Sequence, residues 1–149
     1  MRLTALADYS LRVLMYLGTN PDRLATIDEI ADAYGISSNH LMKVVHRLGQ
    51  LGFVETQRGR GGGLRLGKPS GEVTLGEVVR AVEEDFELVE CFGAGNTCLI
   101  SDVCRLKRVL RRALEAYFEV LDDWTLADIV ANRKALLGVL GNADQIDRR

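Results

Sequence analysis

The sequence predicts a mainly α-helical chain with a small β wing: a winged helix-turn-helix domain followed by a long dimerisation helix. Three observations lead there. Two helical patterns meet across Gly35, a glycine-rich basic stretch at residues 59–63 separates two short apolar segments, and an apolar stripe at helical spacing continues from Leu106 to Leu121. With 149 residues there is room for one compact domain and an arm, and a chain of that length buries a core without disulfide staples.

In chain order, Leu3, Leu6, Ala7, Ser10, Val13, Leu14 and Leu17 recur at steps of three and four and predict an amphipathic helix ending near Gly18. Asp8 and Arg12 lie off its apolar stripe. A second helix opens at Thr26 with Glu29 as its capping-box partner and stops at Gly35. Ser37 is the N-cap of a third helix, whose inward residues Leu41, Val44, Val45, Leu48 and Leu51 keep helical spacing up to Gly52. Residues 53–55 and 64–66 read as two short strands around a cationic tip, the wing.

After Pro69, Thr74 and Glu77 read as a second capping box, opening a helix through Val78, Val79 and Val82 that ends near Asp85. Residues 86–102 have little periodicity and are long for a structureless loop, so a bound group is a reason for them to exist. From Val103 a long helix follows, its apolar face bordered by Arg105, Lys107, Arg108, Arg111 and Arg112; too little chain remains to cover that face, and a second copy is the economical partner. A short helix through Leu126, Ile129 and Val130 comes next, and residues 141–149 read as a polar, disordered tail. The expected division is 1–68 for the DNA-binding domain, 69–104 for a linking helix and cysteine loop, and 105–149 for dimerisation and the C-terminal helices.

A net charge of -2 says nothing about partners, but its distribution does. Across residues 37–68, Lys43, Arg47, Arg58, Arg60, Arg65 and Lys68 face only Glu55, whereas residues 69–100 carry seven acids against Arg80. In a helix-turn-helix the second helix enters the major groove, so its first turn needs short polar side chains and its outer face needs bases that reach phosphates. Ser37, Ser38, Asn39, His40 and Lys43 meet that demand; Asn39 suits an adenine edge, and Lys43 and Arg47 suit phosphates. Arg58 and Arg60 sit where glycines let the backbone approach DNA closely.

Cys91, Cys98 and Cys104 are separated by six and then five residues. No stretch approaches the roughly 20 apolar residues of a membrane span, and no export signal opens the chain, so a cytoplasmic protein with reduced thiols is expected. Three thiolates leave a tetrahedral zinc site or a cubane cluster one ligand short. His40, His46, Asp8, Glu90, solvent or a second subunit can supply the fourth. No nucleotide fingerprint, hydrolase triad or acid–base pair is present, so an enzyme is not expected.

Met1, Arg2, Leu3 and Thr4, the turn Tyr34, Gly35, Ile36 and Ser37, the wing residues Arg58 and Gly59 with the run from Gly62 to Pro69, and the three-cysteine loop together resemble the iron-sulfur winged-helix repressors, the NsrR/IscR/RirA family of transcriptional regulators. Within it the chain is most similar to the nitric-oxide-sensing NsrR branch, through Asp8 and Tyr9, the helix from Asn39 to Val45, Cys104 to Lys107, and Thr125 to Asp128. The first cysteine spacing is one residue longer than the family's usual one, and Glu90, Cys91 and Phe92 also resemble the RirA branch. The resemblance implies a homodimer that represses transcription from double-stranded operator DNA. Each subunit would bind a [4Fe-4S] cluster through Cys91, Cys98 and Cys104, with Asp8 of the partner subunit as fourth ligand, and nitrosylation of the cluster would release the operator. A [2Fe-2S] cluster or zinc are the alternative groups; an iron- or cluster-level sensor and a zinc-stabilised winged-helix regulator are the alternative functions.

Overall fold

The computed structural model describes residues 2–141. Helices α1 (Ala5–Thr19), α2 (Ile27–Tyr34) and α3 (Ser38–Gln50) come first, followed by the antiparallel hairpin β1 (Val54–Gln57) and β2 (Gly63–Leu66) and by α4 (Leu75–Val82). The cysteine loop leads to the long α5 (Arg105–Asp122), and α6 (Leu126–Ile129) and α7 (Arg133–Leu140) close the described chain. This is the expected mainly helical fold with a two-stranded wing.

Side-chain caps start the first three helices. Thr4 accepts from the Ala7 amide, Ser37 from the His40 amide, and Thr26 and Glu29 satisfy each other's backbone amides in a complete capping box. The expected box at Thr74 is only half present. Thr74 accepts from the Glu77 amide at 3.1 Å, but the Glu77 carboxylate turns to Lys68 Nζ at 2.8 Å instead of reaching back. Gly35 ends α2 at φ 64°, a left-handed conformation that a Cβ would strain, and this permits the tight turn into α3.

Several boundaries differ from expectation. The first wing strand begins and ends later than 53–55, α4 stops at Val82 instead of near Asp85, and α5 begins at Arg105 with Cys104 as its N-cap. An additional helix, α7, follows α6. The expectation of a disordered tail falls, beyond Gly141, outside the described residues.

Among the described residues one hydrophobic core joins α1, α2, α3, the wing, α4 and α6. Leu14 and Leu17 of α1, Ile30 of α2, Leu41 and Leu48 of α3, and Leu126 of α6 are all fully buried in it, joined by Phe53 and Leu64 from the wing and Val78 and Val82 from α4. The segment after α5 therefore returns to the N-terminal half. Backbone bonds seal the return: the Leu75 amide donates to the Trp124 carbonyl and the Leu126 amide to the Val73 carbonyl. On the other side of the core, the Ala25 and Leu64 backbones exchange two hydrogen bonds and pin the wing to the body.

Helix α5 is poorly buried, since only Phe118 in it is buried. Its C-terminal half is fixed to α4 by Arg80, whose guanidinium forks onto the Asp122 carboxylate and lies 4.1 Å from the Phe118 ring centre. Phe86 meets Phe118 edge-on at 4.7 Å. The N-terminal half instead meets the cysteine loop, through Arg111 over the Phe92 ring.

If α6 belongs to the same cooperative core, Leu126→Ala should lower unfolding stability by about 2–5 kcal/mol, the usual cost of truncating a fully buried leucine. A urea titration measures it, and a loss below about 0.5 kcal/mol would mean that the return segment folds independently.

Candidate nucleic-acid interface and cysteine loop

The burial pattern of α3 separates its two faces. Leu41, Val44, Val45 and Leu48 are buried, and Asn39, Lys43, His46 and Gln50 fall opposite them at steps of four, three and four, all exposed. Asn39 and Lys43 thus stand where a groove-reading helix needs them. His46 and Gln50 extend the same stripe, their side-chain nitrogens 3.1 Å apart, and their spacing from Asn39 is the sequence signal that would have found them. Met42, half-exposed on the flank, adds the apolar contact that a thymine methyl can accept.

The other expected contacts are partly engaged inside the chain. Ser37 caps α3, and Ser38 donates to Asp28 Oδ1 at 2.7 Å, locking α3 to α2. The guanidinium of Arg47 donates to the Ala81 carbonyl at 3.2 Å and so joins α3 to the end of α4. His40 is exposed, its ring centre 6.4 Å from that of Tyr9 on α1.

Arg58 and Arg60 are exposed at the wing tip. Their turn depends on Gly62, where a Cβ would collide with the Gln57 carbonyl oxygen. The neighbouring cations are spent within the fold: Arg65 pairs with Glu55 directly across the hairpin at 2.7 Å, and Lys68 pairs with Glu77. Among the described residues from 37 to 68, the cations with no carboxylate partner are therefore Lys43, Arg47, Arg58 and Arg60.

Asp8 lies half-buried in the first turns of α1. Arg12, one helical turn on, forks onto it, with Nε 3.1 Å from Oδ1 and Nη2 2.9 Å from Oδ2. The Arg12 guanidinium also lies 5.9 Å from the ring centres of Tyr9 and Tyr34. A chain of contacts thus runs from Asp8 through Arg12 and Tyr9 to His40 at the start of α3. Burial pushes the Tyr34 hydroxyl up to about 12, so it stays protonated beside the pair.

The three thiols are free, Cys98 exposed and Cys91 and Cys104 half-buried. By chemistry the set fits a soft metal group: three thiols with no disulfide, on one irregular loop that ends at the N-cap of α5. Convergence is a separate matter. Among the described residues no group of three or more His, Cys, Asp or Glu side chains is close enough to hold a metal ion. The loop nevertheless has internal order. Hydrogen bonds from the Thr97 hydroxyl and amide hold the Glu90 carboxyl below the usual carboxylate range, and Phe92 lies under the Arg111 guanidinium of α5 at 5.4 Å.

Charge on α5 runs against its dipole. The N-terminal half carries Arg105, Lys107, Arg108, Arg111 and Arg112, and the C-terminal half carries Glu115, Glu119 and Asp122; the first turn holds no acid and the last turn no base. Leu106, Val109 and Val120 on this helix are each about 60% exposed. Beside the middle of α5 is an open cleft in which Glu83, Asp85 and Glu87 line the wall together with Arg2 and the apolar or aromatic Leu3, Phe86, Leu88, Leu114 and Tyr117.

Comparison with known proteins gives the geometry a context. The pattern of the Rrf2 family, described as iron-dependent transcriptional regulators, matches residues 3–132. An HTH-type transcriptional regulator NsrR of Bacillus subtilis (strain 168) is 56% identical over 142 residues, covering 94% of this chain and 97% of that protein. The protein aau3 of Rhizobium meliloti (strain 1021) is 46% identical, covering 95% of this chain and 92% of that protein. Among solved structures, T. potens IscR superposes with a TM-score of 0.71 at 21% identity, over 89% of this chain and 88% of that one. The global cysteine regulator CymR of B. subtilis superposes with 0.70 at 24%, over 89% and 98%. At those identities the two structures speak for the fold alone.

Two substitutions test the interface. Lys43→Ala should weaken DNA binding across sequences and reduce the slope of log affinity against log salt by about one, the loss of one phosphate contact. Gly62→Ala should weaken binding with a near-wild-type melting profile, because it distorts the tip and leaves the core intact. Fluorescence anisotropy over a salt series reads both, and unchanged affinity in both variants would remove the wing and the outer face of α3 from the interface.

Proposed function

The chain belongs to the Rrf2 family of transcriptional regulators, and from that premise we propose that it is an iron-sulfur-dependent repressor that releases its operator in response to nitric oxide. The observation that carries the reading is the pairing of an exposed groove-reading face on α3 with a separate loop bearing three free thiols at the foot of α5. Similarity to regulators named NsrR over nearly the whole chain supports it. Cys91, Cys98 and Cys104 would hold a [4Fe-4S] cluster, with Asp8 of the partner subunit completing the set. When bound, that group supplies an iron atom held by an exchangeable carboxylate and therefore open to a small ligand.

The partner is a second copy, and charge argues for its orientation. Packed antiparallel, the basic half of one α5 meets the acidic half of the other, and the half-exposed Leu106, Val109 and Val120 are covered by the same seam. The acidic cleft beside α5 supports the same arrangement, as a site for the partner's arginines. Because the C-terminal end of α5 is tied to α4, and α4 packs on α1, an antiparallel pair carries one subunit's cysteine loop toward the other's N-terminal half. Asp8 belongs to that half, in the first turn of α1.

From Asp8 the remaining steps belong to the chain. Drawing the Asp8 carboxylate toward the partner's loop separates it from Arg12. Arg12 and Tyr9 are then free to shift, and Tyr9 faces His40 in the first turn of α3. A two-fold operator requires the two recognition helices to stand about 34 Å apart, so a small change there is felt in both grooves at once. A preference of about 3 kcal/mol for the matching arrangement changes DNA affinity roughly a hundredfold.

The family's description as iron-dependent favours one second reading, in which iron or cluster supply is the signal. Operator affinity of the loaded protein, of the loaded protein after nitric oxide, and of Asp8→Ala separates the possibilities. We expect tight binding in the first case and at least tenfold weaker binding in the other two. Equal affinity before and after nitric oxide, with loss on iron removal, would assign the signal to iron; equal affinity throughout would remove the switch.

A further inference from the structure

The loop that carries the cysteines is tied together by its own side chains, and the ties fall beside two of the three thiols. Glu90 precedes Cys91, and its Oε1 accepts from both the amide (2.9 Å) and the hydroxyl (2.6 Å) of Thr97, which precedes Cys98. Asn96 Oδ1 accepts from the Cys98 amide at 3.0 Å, and the Cys98 carbonyl accepts from the Ser101 amide at 3.2 Å. Ser101 is itself bonded to the Asn96 side chain, accepting from Nδ2 at 2.8 Å and donating to Oδ1 at 3.1 Å, and it is buried. Both backbone polar groups of Cys98 are therefore held, while its thiol is left exposed.

Global stability does not explain this network. Every bond lies within residues 90–101, most of which are exposed, and Cys98, Leu99 and Ile100 make no contribution to the buried core. Bonds of this kind act locally, by removing conformations from a segment that Gly93 and Gly95 would otherwise leave loose. A group that binds several ligands at once gains when those ligands are already ordered, because the ordering cost has been met beforehand.

We propose that Glu90, Asn96, Thr97 and Ser101 are positioning residues that set the backbone of Cys98 against that of Cys91 before the iron-sulfur group is taken up. The proposal rests on the reading of the three cysteines as ligands and adds a preorganised frame to it. None of the four need touch iron. Glu90 in particular, although adjacent to a ligand and carboxylate-bearing, acts through Thr97.

The test uses the full-length protein, first metal-free and then loaded. In the metal-free state, hydrogen exchange at the Cys98 amide should be at least tenfold faster in Asn96→Ala. In the loaded state, Asn96→Ala and Thr97→Val should release iron to a chelator at least threefold faster and alter the visible circular dichroism, with an unchanged unfolding midpoint. Thr97→Ser, which keeps the hydroxyl donor, should restore wild-type release and spectrum. Faster exchange with unaltered release and spectrum would overturn the positioning role, as would exchange that does not change at all. Wild-type protein that takes up no iron would overturn the ligand reading and the proposal together, whereas a wild type that loads normally beside indistinguishable variants would overturn the proposal alone.

Discussion

The constraint on which the rest of this molecule depends is an α5 that is incomplete by itself. It has one buried residue in eighteen, three large apolar side chains about 60% exposed, and a charge order opposed to its own dipole. In an isolated helix basic side chains near the N-terminus and acidic ones near the C-terminus each cost a few tenths of a kcal/mol to about 1 kcal/mol. Beside an antiparallel copy the same order becomes complementary along the whole seam. An arrangement unfavourable in one chain and favourable in two is what a two-fold interface selects.

That geometry links the two ends of the proposed mechanism. Arg80, Asp122 and Phe118 fasten the C-terminal end of α5 to α4 and hence to the core around α1, whereas the thiols sit in the loop before its other end and at its N-cap. Asp8 in one subunit is held by Arg12, and three thiolates by themselves leave a cubane cluster one ligand short. Under the proposed function the missing ligand would be supplied by the other subunit, and the same crossing would put a chemical event at the loop in contact with α1, which packs against α3.

Much of this fold is legible in the sequence because its signals are local. The caps at Thr26 and Ser37, the turn at Gly35 and the glycine-rich wing tip are each decided within a few residues. Helix α7 escapes because nothing local announces it: Asn132 makes no side-chain cap, and Gly138 interrupts its interior. The site is less legible, since what engages Ser38 is Asp28, ten positions away, and what engages Arg47 is the Ala81 carbonyl, thirty-four positions away. Glu77 was taken from its expected cap by Lys68, a competition between two partners that spacing does not resolve. The origin of the fourth ligand could not be read from one chain at all, because on this account a second subunit supplies it.

The central claim, that the ligand set crosses between subunits, is tested most directly with mixed dimers. Asp8→Ala subunits retain all three thiols, subunits with Cys91, Cys98 and Cys104 changed to serine retain Asp8, and neither homodimer has a complete site. A purified heterodimer of the two should carry one iron-sulfur cluster per dimer with the wild-type visible circular dichroism spectrum and resistance to chelator. A heterodimer that behaves like the Asp8→Ala homodimer would contradict the crossing, and with it the route from thiol chemistry to the spacing of the DNA-reading helices.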